Sequence, residues 1–154
     1  MAWHGKELKG KRENRKELAN ICMMHPDVFV AQTICTLPNH FYKAIMAANE
    51  YPGPAVINVF TTCQPEHGVA DHLAGERARI AVDSRAFPLI MYDPEKGERI
   101  KDRLSLKGNP MPKKDWYQNP QTGEPVDLVE FARGEDRFDK KFDRDGQPSE
   151  ELLA

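Results

Sequence analysis

The sequence has few cysteines and no long apolar stretch. Its 154 residues include only three cysteines, Cys22, Cys35 and Cys63, and an odd, sparse set of this kind argues against a disulfide framework and for a reducing compartment. No apolar run reaches the roughly 18 residues of a membrane-spanning segment, and the first residues lack the apolar centre of a secretory signal. The sequence therefore predicts a cytoplasmic protein that does not enter a membrane.

The sequence also lacks an excess of charge of either sign. It has 22 Lys and Arg against 24 Asp and Glu, a formal net charge of -2. Proteins that bind nucleic acid or an anionic membrane present a basic face, so neither partner is expected. The 40% hydrophobic content suits an ordinary globular domain that buries most of its apolar surface.

Short apolar runs alternate with helical patterns over the first part of the chain. The runs 28–34, 55–61 and 87–92 are continuous and rich in β-branched or aromatic residues, which is typical of buried strands. Helices are predicted before, between and after the first two runs, and β-α-β units of this kind have right-handed crossovers and parallel strands. The fold class is therefore predicted to be α/β, a partial three-layer domain with a mostly parallel sheet of about three core strands.

Helical spacing places the helices between these strands. A first helix carries its predicted inward face at Leu18, Ile21, Cys22 and His25 and ends at Pro26. A second is predicted to be capped by Asn39 and interrupted at 52–54, with Phe41, Ala44, Ile45 and Ala48 inward. A third is predicted over 71–85, with its apolar residues at Leu73, Ala74, Ala78, Ala81 and Val82.

The composition changes after residue 94. Residues 95–154, here called the arm, are rich in charge, Pro, Gly and Asn, and we divide the chain into a domain at 1–94 and an irregular C-terminal arm at 95–154. A short helix is predicted at 126–133, and Phe138 and Phe142 are spaced for one helical face. Because a few aromatic anchors hardly offset the entropy of ordering the arm, we expect it to pack poorly on residues 1–94 without a partner surface.

Ligands of parallel α/β sheets collect at the carboxyl ends of the strands, which here predicts a functional edge at 35–39, 61–68 and 93–97. Cys63 lies in the middle segment, four residues before His67. Its thiolate could ligate a metal or cluster, could attack a carbonyl with His67 as the base, or could simply fill space. These alternatives remain open on the residues alone.

Other site patterns are weaker. Cys63, His67 and His72 include zinc-ligand types but lack paired ligand spacing. Asp143, Asp145 and Gly146 imitate part of a calcium loop without the carboxylates needed at its ends. His25 and His40 border helix ends and are expected to have surface or capping roles, whereas Cys22 and Cys35 are expected to be core thiols.

Three stretches carry a family resemblance: "RKELANICMMHPDVFVAQT", "NHFYKAIMAANEYPGPAVINVFTTCQPEHGVAD" and "RIAVDSRAFPLIMYDP". In this order they resemble the C-terminal part of the thiamin-diphosphate-binding domain of pyruvate:ferredoxin (flavodoxin) oxidoreductases. The resemblance is close over about residues 9–94, and the arm resembles the C-terminal extension of one subgroup of that family.

The resemblance implies a role for Cys63. It corresponds to the most downstream of four cysteine ligands of a [4Fe-4S] cluster, near thiamin diphosphate and its Mg²⁺, in an enzyme that decarboxylates a 2-oxoacid, with pyruvate the expected substrate, and passes electrons to ferredoxin or flavodoxin. The family's C-x-x-C ligands and Gly-Asp-Gly signature are absent from this sequence. No catalytic residue and no residue that binds thiamin diphosphate is therefore assigned, and the role of His67 is not carried over.

Two functions follow as expectations. The chain is a fragment or subunit of a 2-oxoacid oxidoreductase, inactive and without a bound cofactor when alone, whose remaining domains or subunits supply the other ligands. Alternatively, it is a non-catalytic α/β interaction module that packs on partner subunits through its sheet edge and arm.

Overall fold

Two of the apolar runs form a parallel pair. In the computed structural model, which describes residues 16–153, strand β1 is Phe29–Ile34 and strand β2 is Ala55–Phe60. Phe29 lies opposite Ala55 and Ile34 opposite Phe60 in a parallel register. Helix α2, Pro38–Glu50, connects the two strands. The predicted β-α-β unit and the α/β fold class are confirmed, whereas residues 1–15 of the predicted domain lie outside the described residues.

The third strand runs in the opposite direction to the prediction. Strand β3 covers only Ile90–Tyr92 and pairs antiparallel with β1, and strand β4, Leu104–Ser105, pairs antiparallel with β3. The four-stranded sheet has the order β2-β1-β3-β4. The expectation of three parallel strands is therefore wrong. Within this sheet β1 and β3 each have neighbours on both sides, and β2 lies at one edge.

Local geometry marks where β3 begins. Arg85, two residues after α4, has a left-handed φ of 64°, and β3 starts with Ile90 opposite Gln32 near the carboxyl end of β1. Pro88 has no N–H to give to a sheet, and its carbonyl instead accepts a hydrogen bond from the Gln32 side chain at 2.8 Å. The strand therefore begins after the proline and is shorter than the predicted 87–92.

The helices cover both faces of the sheet, as a three-layer arrangement requires. On one face Phe29 and Ala31 pack against Ala44 of α2. On the other face, Val30 packs with Ala19 of helix α1, Leu18–Met23. Ile34 packs there with helix α4, Ala74–Asp83. Alternate residues of β1 thus serve opposite layers, as the period of a strand dictates.

The first two helices differ from the prediction in their ends and in their buried faces. Helix α1 ends at Met23, so His25 lies beyond it, and Leu18 and Ile21 are about half exposed while Ala19 is buried. Six residues make less than two turns, and the sheet contacts select the face that carries the small alanine. In α2 the N-cap residue is Leu37, with Pro38 at the first position, where a missing N–H is tolerated. Asn39 is therefore not the cap, and Ile45 is exposed.

The prediction for 71–85 holds in most of its length. A 3₁₀ turn at Asp71–Leu73 leads into α4. Ala78, Ala81 and Val82 are buried there, as the apolar spacing predicted.

The arm contains short elements and contributes to the core. In addition to β4, the arm contains these elements: a 3₁₀ turn Pro94–Lys96, helix α5 Ile100–Arg103, strands β5 Tyr117–Gln118 and β6 Pro125–Val126, helix α6 Leu128–Arg133, a 3₁₀ helix Asp136–Lys141 and helix α7 Glu150–Leu153. Phe131 of α6 is buried in the same cluster as Ile34 and Val82. The expectation that the arm packs poorly on the rest is wrong for this segment, because Phe131 and β4 complete the core and sheet. The division at residue 94 stays a prediction.

Further contacts fix the arm. The Asp127 side chain accepts a hydrogen bond from the Glu130 amide at 2.9 Å and caps α6, within the helix predicted at 126–133. Phe138 packs against Phe131, whereas Phe142 lies under the Arg133 guanidinium. The two phenylalanines therefore do not share one helical face. Across residues 16–153, every helix is too short or too polar to cross a bilayer.

Candidate functional site

Two exposed cysteines follow the parallel strands. Cys35 comes directly after β1, and Cys63 comes three residues after β2. Because the strands are parallel and end opposite one another, both cysteines leave the same edge of the sheet, and both are exposed. The placement of Cys63 at the carboxyl edge is as predicted. The expectation that Cys35 is a core thiol is wrong, whereas Cys22 does pack against the α1 cluster.

The segment 93–97 lies elsewhere. Since β3 is antiparallel and Tyr92 lies opposite Val30, residues after β3 leave the sheet at the amino end of β1. The predicted meeting of 93–97 with 61–68 is therefore wrong. Instead Asp93 and Lys96 line a cavity of about 500 Å³ on the α2 face, together with Leu37 and His40.

Cys63 begins a single turn of helix. Helix α3 is Gln64–His67, with Cys63 at the N-cap. The Cys63 carbonyl accepts a hydrogen bond from the His67 amide at 2.8 Å, and the Gln64 carbonyl accepts one from Gly68 at 2.8 Å. Gly68 has φ 64° and ends the turn in the left-handed conformation that glycine adopts without strain. We call residues Cys63–Gly68 the Cys63 turn.

His67 points back into the protein. Its side chain is only 14% exposed, and its ring lies 6.3 Å from that of Phe60 between centroids. Its Nδ1 is 3.7 Å from Oε1 of Glu135 in the arm, which is an ion-pair distance but longer than a hydrogen bond. Burial, followed by the Arg137 charge, lowers the pKa of His67, and Glu66 opposes this change. The lowered pKa favours the neutral imidazole, and the ring is turned towards the arm.

Glu135 is a buried carboxylate. It is 1% exposed, and its Oε2 accepts hydrogen bonds from Arg137, with Nε at 2.5 Å. Burial raises the pKa of Glu135, while Arg137 and then Arg77 act to lower it. Three buried atoms of this cluster, His67 Nδ1, Arg77 Nη1 and Glu135 Oε1, have no hydrogen-bond partner within residues 16–153.

The geometry bears on the alternatives left open for Cys63. Within the described part of the chain, no three His, Cys, Asp or Glu side chains form a group that could hold a metal ion, so a zinc site from Cys63, His67 and His72 has no support. His67 is engaged by Phe60 and Glu135, which does not favour a role as base for Cys63. Since Cys63 is exposed, the space-filling alternative is not supported.

The remaining candidates have structural roles. His40 is the third residue of α2 and shares a 2.9 Å hydrogen bond between Nδ1 and Thr33 Oγ1. Burial and then the Lys43 charge lower its pKa. Asp143 Oδ1 accepts hydrogen bonds from the amides of Asp145 and Gln147. The segment that imitates a calcium loop is thus a turn closed by its own carboxylate.

Sequence reasoning missed Glu135, Arg77 and Arg137. Glu135 and Arg137 stand in the charged run "GEDRFDKK", which is typical of a solvated surface. The nearest sequence signal is Phe138, the one apolar side chain within this run, which packs against the core.

Comparison with curated proteins gives relatives of one kind. Over 102 residues the chain is 35% identical to the probable pyruvate-flavodoxin oxidoreductase of Escherichia coli, a match of 66% of this chain and 9% of the relative. It is 28% identical over 140 residues to pyruvate synthase subunit PorB of Thermotoga maritima, 91% of this chain and 37% of the relative. It is 25% identical over 146 residues to the pyruvate:ferredoxin oxidoreductase of Moorella thermoacetica, 94% of this chain and 11% of the relative.

Each match covers only part of the relative's own sequence. The chain spans between 9% and 37% of the length of these three proteins. No family model matches the chain.

Proposed function

Because this chain belongs to the pyruvate:ferredoxin (flavodoxin) oxidoreductase family, we propose that it is one piece of a 2-oxoacid oxidoreductase. In this proposal Cys63 supplies one of four thiolates to a [4Fe-4S] cluster, and the other three come from polypeptide outside this sequence. The complete enzyme carries out the oxidative decarboxylation of a 2-oxoacid, with pyruvate as the substrate. Its electrons go to ferredoxin or flavodoxin, and the chain is inactive alone.

The observation that carries this proposal is the similarity of this chain to proteins named as pyruvate oxidoreductases and pyruvate synthase, and the open edge of β2 supports a docked partner. Ala55–Phe60 is a continuous run that reads as a central strand, yet Ala55 and Val59 are exposed and, within residues 16–153, β2 pairs only with β1. The strand has no proline, charge or bulge of the kind that protects natural sheet edges. We infer that a strand from the missing part of the enzyme pairs with this edge.

The outer face of α2 supports the same inference. Tyr42, Ile45 and Met46 lie at i, i+3 and i+4 and are 68%, 38% and 53% exposed. An apolar stripe of this width on a helix is normally covered. A chain that occupies a fraction of its relatives' length would leave such surfaces bare.

The residues present fit one ligand position of a cluster and no more. Cys63 offers an exposed thiol at the carboxyl edge of the parallel pair, and the described residues hold no group of three metal ligands. When bound, a [4Fe-4S] cluster accepts and passes on single electrons. The chain's own part is to present the Cys63 thiolate and to keep the turn behind it in place.

The residues do not fit a complete thiamin diphosphate site. The sequence has no Gly-Asp-Gly segment, and we assign no residue of this chain to that cofactor or its Mg²⁺. In the proposal these come from the remaining domains or subunits. Two of the relatives are named as subunits, PorB and VorB, which is why we propose a docked assembly.

The experiment compares the chain alone with the chain in complex. The partner is the polypeptide of the same genome that carries C-x-x-C and Gly-Asp-Gly segments, co-expressed with this chain and purified without oxygen. We expect the two to co-purify, with about four iron atoms per complex and absorbance at about 400 nm. The chain alone, reconstituted with iron and sulfide, should retain no stoichiometric cluster through gel filtration.

Two results would contradict the proposal. A stable cluster on the isolated chain would mean that the ligands are not shared. A complex that forms without binding iron at Cys63 would instead favour the alternative, a non-catalytic interaction module that uses the open edge of β2.

A further inference from the structure

The Cys63 turn is too short to hold its own shape. Helix α3 has four residues, and isolated helices well over that length are marginal in water because nucleation is unfavourable. Contacts from behind must therefore fix the turn. Those contacts come from the arm, where the 3₁₀ helix Asp136–Lys141 packs against α3.

The backbone contact is tight at Gly68. A Cβ added there would lie 2.3 Å from Cβ of Asp136, a distance that no pair of real side chains tolerates. Arg77 lies directly against Gly134, where a Cβ would be 1.5 Å from its Nη1 and would displace the flexible guanidinium. Glycine at both positions lets segment 134–136 lie against the Cys63 turn and α4.

The polar contact is the Glu135 carboxylate. Its Oε2 is taken by Arg137, and its Oε1 faces His67 Nδ1 at 3.7 Å. Burying a carboxylate is costly unless it is paired, and an apolar side chain could fill the same space. The Glu135 carboxylate lies between Arg137 and the His67 ring of the Cys63 turn.

We propose that Glu135 is a positioning residue, which acts through His67 to hold the Cys63 turn in the orientation that presents its thiolate. The part that concerns a cluster rests on the function proposed above, whereas the part that concerns the turn stands on the contacts alone. A segment of the arm thereby controls a ligand that is distant in sequence.

The test measures hydrogen exchange in the Cys63 turn of the full chain. The amides of His67 and Gly68 close this turn, so their exchange reports its opening. Glu135→Leu keeps bulk but removes the buried carboxylate that faces His67. We expect exchange in peptides covering 62–70 to rise about tenfold, because removing one member of a buried charged contact is destabilising. Glu135→Gln keeps the shape and an acceptor oxygen and should stay within about threefold of the native chain.

Controls separate this from general destabilisation. Strand β1 should exchange as in the native chain in every variant. Glu124→Leu, at an exposed glutamate of the arm, should change neither region. Unchanged exchange of the turn in Glu135→Leu, or an equal rise in β1 while the fold persists, would overturn the proposal.

A second variant covers the case in which Glu135→Leu fails to fold. His67→Phe keeps a ring against Phe60 and removes Nδ1, so it breaks the same contact from the other side. It should also speed exchange of the turn, and an unchanged rate would overturn the proposal.

The assembled complex gives the readout for the cluster. There Glu135→Leu should alter the electron paramagnetic resonance spectrum of the reduced cluster at unchanged iron content, and an unaltered spectrum would overturn the part that concerns the cluster. If the native complex contains no cluster, the proposed function fails, whereas the exchange result still decides whether Glu135 positions the turn.

Discussion

Two turns leave the same edge of the sheet with an exposed cysteine, and they are supported in different ways. After β1, Cys35 and Thr36 lead at once into the thirteen-residue helix α2, and the backing contact is the hydrogen bond between Thr33 and His40, seven residues apart. After β2, the Cys63 turn is a four-residue helix, and its backing comes from Glu135 and Asp136 of the arm.

The two turns differ in how far away in sequence the residues that stabilise them lie. The first turn is a local structure, fixed by the strand and helix that flank it. The second depends on a buried contact with residues about seventy positions later, so its order is a property of the tertiary fold. Substitutions in the arm can therefore change the orientation of the Cys63 turn, although they lie outside it.

The largest expected effect comes from a substitution in the core that joins the arm to the rest of the protein. Phe131 is 9% exposed and lies 6.3 Å from both Phe60 and Phe138 between ring centroids. Phe131→Ala should lower the free energy of unfolding by about 3–5 kcal/mol, because it leaves a cavity in the main core. Urea denaturation measures this.

The matched control is Trp116→Ala, at an aromatic of the arm that is 40% exposed, which should cost less than about 1 kcal/mol. Equal effects of the two substitutions would mean that Phe131 does not join the arm to the core.

Alanine substitutions at two glycines measure the contact between the arm and the Cys63 turn. Gly68 and Gly123 both have left-handed φ, 64° and 74°, but a Cβ at Gly123 meets nothing within 4 Å. Gly123→Ala should cost about 1 kcal/mol, the strain of this conformation alone. Gly68→Ala should cost at least about 2 kcal/mol, since it adds the collision with Asp136. Equal losses in urea denaturation would show that Asp136 does not press on the turn.

The smallest effect concerns the first turn and its histidine. Burial and Lys43 lower the pKa of His40 below 6.5 in the folded state, so the unfolded chain binds more protons as the pH falls below that value. The stability contributed by neutral His40 is therefore present above pH 6.5 and lost on acidification. Between pH 7.5 and 5.5, the native chain should lose more stability than His40→Gln, measured by urea midpoints. Parallel profiles would contradict the assigned pKa direction.

Sequence predicts the first turn well and the second only in part. The runs that form β1 and β2, the helix between them and the edge that bears Cys63 follow from local apolar patterns and from the parallel β-α-β rule. The direction of β3 does not, because the same apolar run fits a strand that runs either way beside β1. A short apolar run gives no information about strand direction.

The burial of Glu135 could not be predicted from the sequence, for a different reason. Glu135 stands among charged neighbours that are solvated in most proteins, and only the packing of Phe131 and Phe138 draws it inside. The exposure of Cys35 was missed likewise, since a small residue after a buried strand is usually buried too.

The most direct test of the account compares the two cysteines in the assembled complex with the C-x-x-C polypeptide. We predict that Cys63→Ser abolishes the absorbance at about 400 nm and the bound iron, whereas Cys35→Ser leaves both within about a fifth of the native values. Loss of the cluster in Cys35→Ser with retention in Cys63→Ser would contradict the assignment, as would full iron content in the complex of the double variant Cys35→Ser/Cys63→Ser.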